Sequence, residues 1–150
     1  MKIFVMSDSH GNTAKCIKAT HSESPDLIVH LGDYQDDAIV FSQCYPDIPL
    51  YSVKGNCDMM SQNHEEIEFE FGGMLFYITH GHLHNVKTGL AQIVADAKRR
   101  EVNVALFGHT HIPYYDAADG IVFVNPGSIA KTYATLTLKD GAIVCDIKSI

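Results

Sequence analysis

The sequence predicts an α/β fold, a four-layer αββα sandwich of two mixed β-sheets flanked by helices. Two observations carry this. The first half of the chain alternates apolar, strand-like runs with stretches of helical spacing. The second half is rich in short strands separated by glycine-containing turns. Strand–helix units together with hairpins bury their apolar faces best as two packed sheets with helices outside. The 150 residues fit a single domain, 1–150, and a chain of this length hides about 70% of its unfolded surface.

The elements follow in order. Lys2–Met6 (KIFVM) is a buried strand, and residues 13–21 form a short helix with Asn12 or Thr13 as its cap. Residues 27–31 (LIVHL) make a second buried strand, residues 36–44 a helix and residues 50–53 a third strand. Residues 65–71 (EEIEFEF) alternate polar with apolar, as a half-exposed strand does, and Gly72-Gly73 turns the chain into a strand at Met74–Thr79. Leu90, Ile93, Val94 and Ala97 stand at helical spacing within 88–100, and residues 102–107 return as a strand. Further strands at 112–115, 121–124, 132–138 and 142–147 are punctuated by Asp119-Gly120 and Asp140-Gly141 turns.

The balance of charge narrows the function. The formal net charge is −7, which disfavours non-specific nucleic-acid binding because phosphate neutralisation needs clustered Lys and Arg. The one basic cluster, Lys98, Arg99 and Arg100, reads as a solvated helix end that complements the helix dipole. Two divalent cations would add about +4 and offset much of the acidity. Cys16, Cys44, Cys57 and Cys145 form no CxxC pair, so no zinc ribbon or disulfide framework is expected. No run approaches the roughly 18 apolar residues of a membrane span, and no secretory signal is present, so the expected location is a reducing cytoplasm.

The polar residues that follow the apolar runs carry the chemistry. After KIFVM come Asp8 and His10; after LIVHL, Gly32-Asp33; after LYSV, Gly55-Asn56-Cys57-Asp58; after MLFYIT, His80-Gly81-His82; after VNVALF, Gly108-His109-Thr110-His111. Ligands of open α/β sheets bind outside the carboxyl ends of the strands, so adjacent strands would bring these groups to one rim. Mixed imidazole and carboxylate donors suit Mn, Fe, Zn, Ni or Co. Singly, each piece has a plainer explanation. DxH pairs are common in turns, Gly-Asp and Gly-Asn are turn formers, and His80 alone could be a satisfied core histidine. Five such groups, each at the end of a strand-like run, are hard to attribute to turns.

The blocks SDSHGN (7–12), GDY (32–34), GNCD (55–58), THGH (79–82) and GHTH (108–111) resemble those of the calcineurin-like metallophosphoesterase superfamily. NPGS (125–128) narrows the likeness to the small prokaryotic phosphodiesterase branch, YfcE-like, to which a retromer subunit of the same fold is also related. The resemblance spans essentially the whole chain. It implies that Asp8, His10 and His111 hold one metal, that Asn56, His80 and His109 hold a second, and that Asp33 bridges the two. The metals, Mn²⁺ first and Zn²⁺, Ni²⁺, Co²⁺ or Fe otherwise, would activate water for in-line attack on phosphorus. Asp33, Asn56 and His80 are thus the expected catalytic residues, and Asn12, Cys57 and His82 the candidate substrate contacts. The implied substrate is a small phosphodiester or phosphomonoester.

One departure stands out. Much of the superfamily has GNH followed by an acid, where the His assists the leaving group; here the position is Cys57. A thiol, or His82 or His84, could protonate the leaving oxygen instead, and a preference for good leaving groups is expected. Asp58 is open between orienting a neighbouring His and stabilising its turn. Residues 125–128 read as packing under the site, Tyr34 and Tyr114-Tyr115 as pocket lining or core edge, and His21, His30 and His64 carry no motif. A non-catalytic interaction scaffold of the same fold competes with the enzyme, but a scaffold would have lost ligands, and all seven are kept. A nuclease is disfavoured by charge and by the lack of capping domains. Phe, Tyr and Met residues near 59–77, if exposed, would support a homodimer or higher homo-oligomer.

Overall fold

The computed structural model of residues 1–150 places β1 (Lys2–Met6) at the centre of a five-stranded sheet. Beside it run β2 (Leu27–His30) and β3 (Leu50–Ser52), both parallel, while β9 (Thr132–Lys139) and β10 (Ala142–Ser149) continue antiparallel on the other side, in the order β10-β9-β1-β2-β3. The second sheet has the order β4-β5-β6-β8-β7, from β4 (Glu66–Phe71), β5 (Met74–Thr79), β6 (Val104–Leu106), β7 (Tyr114–Ala118) and β8 (Ile121–Asn125). Here β5, β6 and β8 are parallel and the edge strands β4 and β7 antiparallel. Both sheets are mixed, as expected.

Alternation along the strands makes the layers. Ile3 and Val5 of β1 join Phe76, Ile78, Val104 and Leu106 of the other sheet in the core between the sheets. Phe4 and Met6 point the opposite way, onto α1 (Thr13–Glu23) and α2 (Gln35–Cys44), with Cys16, Ala19 and Phe41. Tyr77, Ala105 and Phe107 likewise face α3 (Ala91–Arg99), through Ile93 and Ala97. Strands covered on both faces read as continuous apolar runs, which is why KIFVM and VNVALF show no polar alternation.

Several boundaries differ from the sequence reading. The third helix begins at Ala91, not 88, because Gly89 is extended and Thr88 Oγ1 is bound to the Asn85 carbonyl. A 3₁₀ turn at His82–His84, which no periodicity marks, precedes it. The strand expected at 112–115 lies at Tyr114–Ala118, since Thr110 Oγ1 engages both the N–H and the carbonyl of Ile112, and Pro113 has no N–H to give. The Gly72-Gly73, Asp119-Gly120 and Asp140-Gly141 turns all have two successive positive φ angles, the type I′ signature. Asn12 stands at the start of α1, but its side chain donates back to the Ser9 carbonyl at 2.8 Å and accepts no helix N–H.

One surface expectation is corrected. Arg100 is not a freely solvated helix end: it lies 4.4 Å over the Tyr77 ring and is paired with Glu66, Glu68 and Asp96, tying α3 to the β4–β5 hairpin. Of the Phe, Tyr and Met residues near 59–77, Met59 and Met60 are exposed, Phe71 and Met74 are half-buried, and Phe69, Phe76 and Tyr77 are buried in the two cores. No helix is long and apolar enough to cross a membrane.

The layering predicts an uneven response to truncation. Leu106→Ala, which empties space between the sheets, should cost about 2–5 kcal/mol in urea unfolding. Val144→Ala, on the exposed face of β10, should change stability by no more than about 0.5 kcal/mol. Equal losses would contradict the assignment of the inter-sheet core.

Candidate metal centre

The carboxyl ends of β1, β2 and β3 in one sheet, and of β5 and β6 in the other, reach the same rim, and their following loops carry all seven expected ligands. The cross-links are local and short. The Asp8 N–H donates to the Gly32 carbonyl at 3.0 Å, the Gly108 N–H to the His80 carbonyl at 3.0 Å, and the Ile129 N–H to the Ser7 carbonyl at 3.1 Å. The sheets are joined at the rim by His80 of the second, whose Nδ1–H donates to the Leu31 carbonyl of the first at 2.7 Å. A carbonyl can only accept, so this bond fixes the proton on Nδ1 and turns the Nε2 lone pair into the site.

Around His80 Nε2 lie His109 Nδ1 at 3.1 Å, Asn56 Oδ1 at 3.2 Å, Asp33 Oδ1 at 3.6 Å and Asp8 Oδ1 at 3.9 Å. On the open side, His111 Nε2 is 3.1 Å from Asp8 Oδ1 and His10 Nε2 is 3.8 Å from Asp33 Oδ2. Bonds of about 2.0–2.2 Å around one ion put neighbouring donors roughly 3 Å apart, which is the spacing of the tighter pairs. Asp8 with His10 and His111, and Asp8 with Asp33 and His80, form two groups whose donor atoms lie within 4.8 Å of one another. The two oxygens of Asp33 face different histidines, one toward each group.

The residues fit divalent metal on an observation independent of distance. Asp8 Oδ2 is held by Ser7 Oγ at 2.6 Å and the His109 N–H at 3.1 Å, but Asp8 Oδ1, fully buried, makes no well-formed hydrogen bond and faces only the ring nitrogens of His111 at 3.1 Å and His80 at 3.9 Å. A buried carboxylate oxygen left bare is costly unless a cation completes it. Burial, with His80 beside it, pushes His109 down to about 4, leaving the neutral ring that ligates metal. Burial opposes ionisation of Asp33, yet the Cys57 N–H at 3.0 Å and the His80 ring outweigh it and hold the carboxyl below its ordinary value.

Backbone strain marks the same residues. Asp8, His10, Asp33, His109 and His111, five of the seven, have φ between 43° and 68°. Non-glycine residues rarely adopt this region, and they persist there where surrounding structure holds them and function uses the geometry. The glycines between them are dictated by close approach: a Cβ on Gly108 would stand 1.9 Å from Ser7 Oγ, and one on Gly55 2.1 Å from Asp33 Oδ1.

The remaining expected contacts divide. Cys57 is exposed beside Asn56, whose Nδ2 is 3.5 Å from its sulfur, and burial and the Asp33 carboxylate push its thiol up. The His82 ring stands 5.4 Å from that of His80 at the edge of the cluster, and burial and His80 push it down. Asn12 Nδ2 donates to the Ser9 carbonyl at 2.8 Å. His84 is a correction: its Nε2 turns away, to the Tyr77 hydroxyl and Asp96 at 3.2 Å, so it cannot serve a leaving group.

Three supporting residues emerge here: Asp37 and His30 had no signal in the sequence, and Asp58, left open there, binds backbone N–H groups of its own turn and of the neighbouring loop. Asp58 accepts four backbone N–H groups, from Asp33, Tyr34, Gln35 and Gly55, at 2.8–2.9 Å. Asp37 accepts from the Gly11 N–H and the Thr13 hydroxyl, holding the DxH loop. His30, fully buried, accepts the Gly32 N–H on Nδ1 and meets Ser9 Oγ at 3.0 Å. Residues 125–128 pack beneath the site as expected: Asn125 Nδ2 donates to the Gly108 carbonyl and Ser128 Oγ to that of Asp8.

The sequence profile of the calcineurin-like phosphoesterase superfamily domain matches residues 1–149. The chain belongs to that superfamily. A probable metallophosphoesterase of Bacillus subtilis, YsnB, is 33% identical over 95% of this chain and 87% of its own. A phosphodiesterase of Methanocaldococcus jannaschii is 27% identical over 85% and 83%. The crystal structure of a conserved predicted phosphoesterase from Streptococcus pneumoniae superposes with a TM-score of 0.83 at 28% identity, covering 99% of this chain and 88% of that one. The chain is accordingly an enzyme of the metallophosphoesterase class, with groups of residues suited to divalent metal at the rim.

The buried neutral His30 gives the site a pH signature. Burial pushes it from about 6.5 down to about 4, so the unfolded chain binds the extra proton and stability rises with pH across that window. Metal-free protein should lose stability as pH falls from about 6.5 to about 4, by up to about 1.4 kcal/mol per pH unit from His30 alone. His30→Gln should remove that share of the slope in urea unfolding; parallel pH profiles for the two proteins would contradict it.

Proposed function

We propose that this phosphoesterase is a phosphodiesterase with a dinuclear metal centre, in which Asp8, His10 and His111 hold one ion, Asn56, His80 and His109 the other, and Asp33 bridges them. The reading rests chiefly on the bare, buried Asp8 Oδ1 facing histidine nitrogens of both groups. The mixed nitrogen and oxygen donors favour Mn²⁺, with Zn²⁺, Ni²⁺, Co²⁺ or Fe as alternatives. Two such ions supply a nucleophilic water at neutral pH and neutralise charge on the phosphoryl oxygens.

The chain's own residues do the rest. The Leu31 carbonyl keeps the proton on His80 Nδ1 and so keeps Nε2 available. The Cys57 N–H donates to the Asp33 carboxylate, and Asp58 fixes the backbone beneath it by accepting the Asp33 N–H. His10 and His111 are partly exposed, so the phosphoryl group approaches from the open side. Cys57 occupies the place where much of the superfamily carries a leaving-group histidine, and His82, its ring 5.4 Å from that of His80, is the alternative donor. Esters with good leaving groups are therefore favoured. Residues 1–150 work as one catalytic domain, and the four free cysteines are in keeping with a reducing cytoplasm.

Metal-stripped protein should hydrolyse bis-p-nitrophenyl phosphate only after Mn²⁺ is restored, and faster than alkyl diesters. Asp33→Ala should lower kcat/KM by about a thousandfold, the loss of about 4 kcal/mol of transition-state stabilisation, with the circular dichroism spectrum unchanged. A restored wild type without activity would remove the reading; equal rates on aryl and alkyl diesters would remove the leaving-group claim.

A further inference from the structure

A hollow of about 690 Å³ opens directly beside the candidate ligands, between the start of α2 and the loop after Asn56. Its wall starts at Tyr34 and Cys57, the neighbours of Asp33 and Asn56, and continues through Ile39, Met59, Met60 and Gln62. Tyr34, Ile39, Met59 and Met60 are all exposed large hydrophobics, gathered here rather than scattered over the surface. Apolar side chains collected in one groove mark ligand or partner sites, whereas single exposed ones need no explanation.

The chemistry of the wall selects the ligand. None of the lining residues is Lys, Arg or His. Its two acids are Asp36 and Asp58, and both oxygens of Asp58 are already engaged by backbone N–H groups. A second phosphate or a carboxylate would find no cation there. The N-terminus of α2 is no anion site either, because Asp58 occupies its N–H groups. A flat apolar ring, by contrast, finds an aromatic ring, a branched chain and two flexible thioethers, which adapt to irregular shapes and make favourable sulfur–aromatic contacts. Tyr34 is held in place for this: its backbone is left-handed, φ 80°, and its ring meets that of His10 edge-on at 5.3 Å. One face of the hollow is therefore continuous with the metal-binding rim.

We propose that this hollow receives the organic group of the phosphoester, and that the substrate class is phosphodiesters carrying an uncharged, flat aromatic group such as a nucleobase or an aryl ring. The assignment rests on the phosphodiesterase reading above and adds the group that the chain selects.

The test separates the ring from the phosphate. Phenyl phosphate and methyl phosphate present the same group to the metal centre and differ only in what would enter the hollow. Their inhibition constants are measured against Mn²⁺-dependent hydrolysis of bis-p-nitrophenyl phosphate, in wild type, in the double variant Met59→Ser/Met60→Ser and in the control Val144→Ser. Wild type and control should bind phenyl phosphate about tenfold more tightly than methyl phosphate. The double variant should lose most of that preference while its constant for methyl phosphate stays within about twofold. Equal constants in wild type, or an undiminished preference in the double variant, would overturn the proposal. So would a double variant that keeps the preference and changes only its mass in light scattering, since the methionines would then belong to a contact between copies. A wild type that hydrolyses nothing with Mn²⁺ would overturn the phosphodiesterase reading and this inference together, a result distinct from active enzyme without ring preference.

Discussion

The Asp58 carboxylate accepts N–H groups from the loop after β2 and from the loop after β3, and the placement of the site follows from that clamp. Asp33, Tyr34 and Gln35 turn into α2 with N–H groups that no helical carbonyl can satisfy. Left unmade in a buried place, each such bond would cost about 1–3 kcal/mol. One acid satisfies three of them and draws Gly55 against Asp33 so closely that no Cβ fits between. The left-handed backbone of Asp33 and Tyr34 is tolerable because this clamp, with Ser9 and His30 below it, leaves no better alternative.

A second constraint joins the sheets. The His80 ring reaches across the core to the Leu31 carbonyl, and Ser128 reaches the Asp8 carbonyl from the loop after β8. The rim is thus closed from both sheets by buried hydrogen bonds, while His10, His111 and Cys57 remain accessible. Rigid below and open above, such a site suits chemistry at a phosphorus atom whose organic substituents extend away from the metals. The apolar hollow beside Cys57 lies where one of those substituents would go.

Much of this was legible in the sequence, for a physical reason. Strands buried on both faces appear as unbroken apolar runs, and the residues just beyond them, Asp8, Asp33, Asn56, His80 and His109, come at the carboxyl ends of strands that the two sheets bring to one rim. The four-layer architecture followed from the same runs. What escaped was set by tertiary contact. His84 stands two residues after the THGH block, but the 3₁₀ turn rotates it into a cluster with Tyr77 and Asp96. His30 looked like one more apolar-strand residue, yet it supports two of the loops. Arg100 looked solvated because its partners, Glu66 and Glu68, lie more than thirty positions away. The backbone bonds that Asp58 accepts leave no pattern in side-chain spacing.

The central claim is that two ions share Asp33 at this rim. A crystal of the protein grown with Mn²⁺ and measured at a wavelength sensitive to manganese tests it most directly. Two anomalous peaks about 3.5–4 Å apart, one among Asp8, His10 and His111, the other among Asn56, His80 and His109, with Asp33 between them, is the expected result. A single peak, or peaks that leave Asp33 or the bare Asp8 oxygen without a metal, would contradict it.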